Sequence, residues 1–433
     1  MHQTLENKIA KRSANIAVIG LGYVGLPLAV GLAQQGFKVF GIDTDPKKVQ
    51  KLQAGLSYIP DIPHSSIKKL KLQRNFLPGT NFQPLSKADC IIICVPTPLR
   101  KSHDPDISYI VAAATHVRKH LRRGQLIVLE STSYPGTTEE VLLPQLTQAG
   151  LKVGKDFFLV FSPERIDPGN KKFQLHNTPK IVGGCTPHCT KLASLLYGTI
   201  VGKVHTVNDP KTAEMAKLLE NTFRAVNIGL VNEIAIICHH LQLNTWEVLQ
   251  AAATKPFGYM PFYPGPGLGG HCIPVDPHYL SWKLRTVNYR TRFIELATEV
   301  NQSMPNYVVQ MLVRGLNQQR KAILGAKILM LGVAYKKNVS DTRESPAYEI
   351  YQQLKNLGAK VDYHDPFVPS WKTEIASLKS ITFTQRSLKK YDAGIIVADH
   401  DKVDYRSLVA ALPLLVDTRN ATRNIRSKKI FKI

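Results

Sequence analysis

Long hydrophobic runs are missing from this 433-residue chain: no uninterrupted apolar stretch approaches the ~18 residues that a membrane-spanning helix needs. The opening segment, MHQTLENKIAKRSAN, has no apolar core of the kind a secretory signal requires, so the expectation is a soluble, unexported, cytoplasmic protein with no membrane partner. Cysteine is scarce too. Six residues (Cys90, Cys94, Cys185, Cys189, Cys238, Cys272) in a chain this long do not form the dense framework of a small secreted domain, which excludes disulfide scaffolding and fits a reducing compartment. Acidic residues are in deficit. Against 56 Lys and Arg stand 32 Asp and Glu, a formal charge of +24 whose field attracts anions. The basic residues are spread along the chain and not gathered in a stripe or tail, which weakens a nucleic-acid reading and leaves phosphorylated ligands.

What is present is ordinary globular composition, 44% hydrophobic and 20% charged, at a length that implies two or three domains. Residues 15–19 (NIAVI) read as a strand ending at Gly20, followed by a helical pattern through Leu28, Leu32 and Ala33 and a second strand, KVFGID. This is the unit of a parallel sheet. Further buried strands fit Cys90–Val95, Leu126–Glu130 and Phe157–Phe161. One long helix fits Lys211 to His240, with Leu218, Leu219, Ala225, Val226, Leu230 and Ile234 spaced for burial, and another fits Arg292 to about Arg320. Between them lies YPGPGLGGHCIPVDPHYL, too rich in Gly and Pro for helix or strand, a loop held for a purpose. The strand-turn-helix-strand pattern restarts at Lys327, with a helix near Pro346–Leu357 and strands at KVDYH, Gly394–Ala398 and Leu414–Asp417. The fold class is therefore α/β: two doubly wound parallel-sheet domains joined by a helical middle.

In G20-L-G22-Y-V-G25 the glycines have the dinucleotide spacing. Gly20 permits the tight turn, Gly22 lets backbone amides approach a pyrophosphate, and Gly25 allows the helix to pack closely on the sheet. Tyr23 and Val24 lie within the same turn. A second strand ends at Asp43, about 20 residues on, where a carboxylate binds ribose hydroxyls and repels a 2′-phosphate, which points to NAD over NADP.

Cys272 lies in GGHCIPVDP just before a helix start, where a thiol is biased towards the nucleophilic thiolate. Cys90, Cys94 and Cys238 sit in apolar runs and read as structural. Asp276 and Pro277 make a good N-cap and N1 pair, and Lys217 and Asn221 project from one helix face, where a cation and an amide meet one ligand. Cys185 and Cys189 with His188 have no second ligand cluster, so no metal is expected.

Taken together, GLGYVGLP, VPTP, ESTSYPGTT, FSPERIDPGN, KLLENTFRAVNIGLVNE, PGPGLGGHCIPVDP and GVAYKKNVSDTRESPA resemble the UDP-glucose/GDP-mannose dehydrogenase family over essentially the whole chain. The wording of several is most similar to the branch that oxidises UDP-N-acetyl-D-glucosamine at C6. The resemblance implies a four-electron oxidation of a sugar CH₂OH to a carboxylate with two NAD, serving surface polysaccharide precursor synthesis. UDP-glucose and UDP-N-acetylmannosamine are the alternative substrates.

By the same resemblance Cys272 carries a thiohemiacetal and then a thioester, and Lys217 and Asn221 stabilise oxyanion charge. Asp276 with Lys217 manages the proton of the first oxidation, and Glu164 with Thr132 activates the hydrolytic water. Thr97, Thr132, Asp43, Lys48 and Arg343 line the NAD site. Lys336, Gly269 and the loop of Pro261, Phe262, Tyr263, Pro264 and Gly265 hold the UDP-sugar together with Glu164, Lys217 and Asn221. Lys336 has a plain surface alternative, and Arg343 has an ion pair with Asp341 or Glu344. Lys255 stands where other members place an arginine that reaches a neighbouring subunit's substrate. Val275 replaces a lysine, and His271 a small or aromatic residue, of other branches.

The implied architecture is an NAD-binding Rossmann domain over 1–205, a helical dimerisation region with the cysteine loop over 206–320, and a Rossmann-like UDP-sugar domain over 321–433. The site is expected in the cleft between the sheet domains of a homodimer or larger homo-oligomer. Two rivals stay open: a two-electron hydroxyacid dehydrogenase, which needs no cysteine, and a nucleotide-binding or nucleic-acid-binding regulator that has kept the fold without catalysis.

Overall fold

The computed structural model describes the chain except for residues 1, 60, 101–103, 168, 169, 171 and 271. It divides into two compact units, residues 1–220 with 278–288, and residues 221–277 with 289–433.

The first unit is built on eight strands: β1 (Asn15–Ile19), β2 (Lys38–Ile42), β3 (Phe76–Gly79), β4 (Cys90–Ile93), β5 (Leu126–Leu129), β6 (Phe158–Phe161), β7 (Lys180–Gly184) and β8 (Val204–Val207). Their order is β3-β2-β1-β4-β5-β6-β7-β8. The first six run parallel in the Rossmann order, whose topological switch between β1 and β4 opens a ligand crevice at the carboxyl ends of the strands. Strands β4, β5 and β6 are apolar and fully buried, because helices cover both faces of a parallel sheet. The expected strands are present, each within a residue or two of its sequence bounds. Strand β7 departs from the parallel pattern: it runs antiparallel to β6, pairing Val160 with Gly184 and Phe161 with Gly183.

The second unit carries a smaller sheet made of β9 (Lys327–Leu331) and β10 (Lys360–His364), then, beyond a short hairpin of β11 (Ser370–Lys372) and β12 (Ser377–Lys379), β13 (Ala393–Ile396), β14 (Leu415–Asp417) and β15 (Ile430–Lys432). Its order, β10-β9-β13-β14-β15, is parallel throughout. The α/β class with two parallel-sheet domains and a helical middle is therefore what the chain forms.

The helical middle is dominated by helices Pro210–His240 and Arg292–Gln318. Two residues of the long helix expected in the core are not there: Leu219 is 59% and Leu230 53% exposed. The helix is apolar on two faces, and one packing partner within the chain can cover only one of them. Among the described residues no helix is long and apolar enough to cross a membrane.

Candidate active site

In the first unit Gly20 closes β1 with φ +90°, and a Cβ there would stand 2.4 Å from the Cys94 carbonyl oxygen at the end of β4. A Cβ on Gly25 would stand 1.9 Å from the Gly20 carbonyl oxygen, so only glycine lets the helix Gly25–Gln34 start so close to the strand. Gly22 faces open space. Exposed Tyr23 and half-buried Val24 lead into the helix, whose first-turn amides lack intrahelical acceptors.

Asp43, just past β2, is fixed by amides: Leu21 N donates to Oδ2 at 2.9 Å and Asp45 N to Oδ1 at 2.9 Å, while Lys48 Nζ lies 3.5 Å from Oδ2. The Tyr58 hydroxyl donates to the Leu21 carbonyl at 2.5 Å, tying the glycine turn to the next loop. Tight turn, open ground over Gly22, helix amides and a held carboxylate fit a dinucleotide. Thr97 and Thr132 are half-buried in loops after β4 and β5, and the Thr97 carbonyl accepts from the Tyr279 hydroxyl at 3.0 Å.

A buried charge cluster lies at the carboxyl end of the same sheet. Glu164 Oε1 accepts the amides of Arg165 and Ile166, each at 2.7 Å, and Oε2 accepts from Lys180 Nζ at 3.3 Å. Lys180 Nζ also lies 3.1 Å from Glu130 Oε2, close enough for ion pairing but not aligned as a hydrogen bond, and the Tyr197 hydroxyl donates to Glu130 Oε1. Burial works against the Glu164 charge, yet the Lys180 ammonium, the two amides and the Lys217 charge hold its carboxyl below the usual range. Burial dominates at Glu130 and pushes its carboxyl up.

Lys217 is buried on the long helix. One turn earlier Glu214 accepts the amides of Gly136 (2.5 Å) and Thr138 (2.9 Å) and the Thr138 hydroxyl (2.7 Å), which fixes this part of the helix to the loop that bears Thr132. Burial pushes the Glu214 carboxyl up to about 7.

In the second unit Asn221, one turn beyond Lys217 on the same helix, donates its amide to Asp276 Oδ2, and both side chains are buried. Asp276 is itself the first residue of helix Asp276–Arg285 and not the residue before it. Cys272 is exposed, and its carbonyl accepts from Val275 N (3.1 Å) and Asp276 N (2.8 Å), closing the turn that presents the thiol. His271 lies outside the described residues, as do 168 and 169 of FSPERIDPGN.

The cysteine loop is pinned at both ends. Gly265 N donates to Asn232 Oδ1 at 2.9 Å, Asn232 Nδ2 to Asn301 Oδ1 at 2.8 Å, and Asn301 Nδ2 to the Ala225 carbonyl at 3.0 Å. At the far end Gly270 N donates to the Arg343 carbonyl at 3.3 Å, and a Cβ on Gly269 would strike Tyr335 Cβ at 2.7 Å. Phe262 meets Phe223 edge to face, Tyr263 stacks on Trp246, Pro264 is buried and Pro261 exposed.

Lys336 is half-buried beside Tyr335. Arg343 takes its ion-pair alternative, a fork onto Asp341 with Nε at 2.8 Å and Nη2 at 2.6 Å. Lys255 is exposed over the Phe257 ring.

Several groups escaped sequence reasoning. Lys180 and Glu130 are the clearest. Arg419 is half-buried, donates Nε to the Val397 carbonyl at 3.0 Å, and places Nη1 2.5 Å from where a Gly265 Cβ would be. Asp365, after β10, accepts the amides of Val333 (2.8 Å) and Ala334 (3.2 Å) and contacts His400 Nε2 at 3.1 Å, while Asn338 N donates to His400 Nδ1 at 2.9 Å. Together they anchor the segment that bears Lys336. No spacing rule marks a lone Arg, Asp or His whose partners are 22 to 154 residues away.

Three models of one family match in order: the NAD binding domain of the UDP-glucose/GDP-mannose dehydrogenase family over residues 14–201, its central domain over 211–303 and its UDP binding domain over 329–424. A UDP-N-acetyl-D-glucosamine 6-dehydrogenase of Pseudomonas aeruginosa is 38% identical over 360 residues, 82% of this chain and 84% of that one. A UDP-N-acetyl-D-mannosamine dehydrogenase of Pyrococcus horikoshii is 35% identical over 432 residues, 96% and 98% of the two chains. The solved structure of a UDP-D-ManNAc dehydrogenase from Pyrococcus horikoshii superposes with a TM-score of 0.88 at 33% identity, covering 97% of this chain and 99% of that one.

Proposed function

The chain belongs to the UDP-glucose/GDP-mannose dehydrogenase family and is an NAD-dependent UDP-sugar dehydrogenase; from that premise we propose that it oxidises the C6 hydroxymethyl of UDP-N-acetyl-D-glucosamine to the carboxylate. The observation that supports covalent chemistry is exposed Cys272 in a turn whose Asp276 carboxylate accepts from Asn221; the choice of sugar rests on the Pseudomonas aeruginosa relative. A two-electron dehydrogenase has no use for an exposed cysteine presented this way.

Bound NAD would supply the hydride acceptor for each of two oxidations at C6. In the first, the hydroxyl proton passes to the Asp276 carboxylate through a water that the Lys217 ammonium helps to hold. Cys272 Sγ then adds to the C6 aldehyde, and the resulting oxyanion is held by Lys217 Nζ and by the second amide N–H of Asn221, a fixed pair of donors. Loss of the second hydride leaves a thioester. Glu164, ionised and held by its two amides, with Thr132 orients a water onto that carbonyl and accepts its proton, releasing carboxylate and thiol. The overall balance is one CH₂OH, two NAD⁺ and one water giving one carboxylate, two NADH and three protons. Lys336, Arg419, Gly269 and the loop Pro261–Gly265 hold the UDP-sugar, Arg419 supplying a half-buried cation for its phosphates. Gly20, Gly22, Gly25, Asp43, Lys48 and Thr97 hold NAD, and the resemblance assigns Arg343 to the same cofactor.

The test is a UDP-sugar panel that measures NADH per sugar consumed. Two NADH with UDP-N-acetylglucosamine as the best substrate supports the proposal, and one NADH sinks the thioester step. UDP-N-acetylmannosamine is the second reading, favoured by the near-complete coverage of the Pyrococcus horikoshii relative.

Leu219, Phe223, Leu230 and Ile237 form an exposed apolar stripe on the long helix, which supports a homodimer or larger homo-oligomer. The product suits a precursor for surface polysaccharide, made in the cytoplasm.

A further inference from the structure

The reversal of β7 has a chemical consequence. In a parallel strand the first residue lies at the amino end of the sheet, away from the ligand crevice. Because β7 runs antiparallel to β6, its first residue, Lys180, lies at the carboxyl end, and continuing the Val160–Gly184 register by four residues sets Lys180 opposite Glu164. Its ammonium is 3% exposed and stands between two carboxylates, Glu164 Oε2 at 3.3 Å and Glu130 Oε2 at 3.1 Å. The Tyr197 ring flanks it at 5.2 Å, and the Tyr197 hydroxyl holds the far oxygen of Glu130.

We propose that Lys180 is a positioning residue for thioester hydrolysis: Glu130 and Tyr197 hold its ammonium in place, and the ammonium fixes Glu164 as the ionised base that accepts the proton of the attacking water. The proposal rests on the role given above to Glu164. Two carboxylates share one buried cation, so stabilising one charge is at the expense of the other. The hydrogen bonds decide between them. Beside the shared ammonium Glu164 accepts two backbone amides, whereas Glu130 accepts a phenol. The opposite directions in which the two carboxyls are displaced agree with that division. A lysine serving only to fill space would not lie in register with the base, nor have a second carboxylate and an aromatic face to steady it.

Lys180→Met removes the charge at nearly constant length, and Lys180→Arg keeps it. The measurements are the acid limb of the pH–rate profile with UDP-N-acetylglucosamine and NAD, and the intact mass of enzyme quenched during turnover. In Lys180→Met the acid limb should move up by about one to two pH units, as expected for a carboxylate that loses an adjacent cation. The acyl adduct on Cys272 should accumulate, because hydrolysis slows while hydride transfer continues. Lys180→Arg should restore most of both readouts. An unmoved acid limb with no adduct in folded Lys180→Met overturns the proposal. Should Lys180→Met fail to fold, the double variant Lys180→Met/Glu130→Gln removes a cation and an anion together and is held to the same two outcomes. Wild-type enzyme yielding one NADH per sugar would defeat the reading of Glu164 itself. Two NADH with an unmoved Lys180→Met profile defeats only the role of Lys180.

Discussion

At the scale of single residues, a group's function follows from what its neighbours leave it able to do. Cys272 is exposed in a turn closed by two backbone hydrogen bonds, whereas Cys90, Cys94, Cys189 and Cys238 are buried. For Cys90 and Cys94 burial pushes the thiol pKa up, which removes nucleophilic character. Cys272→Ser should therefore lower carboxylate formation by roughly 10³-fold or more, since a serine hydroxyl is far less acidic than a thiol and stays protonated and poorly nucleophilic near neutral pH. NADH release measured on UDP-N-acetylglucosamine checks this, and near-normal turnover would return the two-electron rival.

Cys272, Asp43 and the glycine turn were legible in the sequence because the pattern that marks each lies within about 20 positions along the chain. Lys180, Arg419 and Asp365 were not, because their partners are brought to them by strand pairing. Lys180 in particular depends on the direction of one strand, which no local pattern encodes.

At the scale of elements, strands announced themselves as continuous apolar runs, which β7 (KIVGG), fully buried but with two glycines, lacks. The runs that became β1, β4, β5 and β6 are continuous apolar segments, and their bounds in the structure agree with the sequence to within two residues. Strands β3 and β8 did not stand out, since each is half-exposed and carries Pro, Gly, His or Thr.

The loop after β9 shows how an element is held for use. Asp365 lies at the end of β10, and its carboxylate gathers the amides of Val333, Ala334, Phe367 and Val368 together with His400. Burial opposes its charge, but the His400 hydrogen bond and the backbone amides hold its carboxyl below the usual range. The folded state then binds fewer protons than the unfolded one. Its contribution is complete above the unfolded value of about 3.9 and is lost as pH falls through the lower folded value. Asp365→Asn should cost about 1–3 kcal/mol at neutral pH and flatten the loss of stability below pH ~4. It should also raise KM for the UDP-sugar more than it lowers kcat, because the segment bearing Lys336 is loosened. Thermal melts from pH 3 to 7 and steady-state kinetics measure both, and an unchanged acid slope would mean that the carboxylate carries no such share.

At the scale of the whole molecule, the excess of 24 positive charges and the exposed apolar stripe are the two surface features that folding of one chain does not explain. The charge suits ligands that are themselves anionic, a dinucleotide and a nucleotide sugar, and needs no polymeric partner. The stripe asks for a protein surface. Leu219, Phe223, Leu230 and Ile237 repeat at four- and seven-residue intervals, so they share one helix face, and between 44% and 59% of each remains exposed. Each leaves about 1 kcal/mol of burial unrealised, and a two-fold interface counts every residue twice, so the stripe offers on the order of 8 kcal/mol towards association. Leu230→Glu would remove about a quarter of that and set two like charges against each other across the axis. Light scattering should then give the mass of one 48.2 kDa chain where the wild type gives at least twice that value. A monomeric wild type, or a Leu230→Glu variant of unchanged mass, would assign the stripe to something other than a second copy. The leucine was read from its spacing as a core residue. If the assembly forms, that spacing was right about burial and wrong only about which chain supplies the cover.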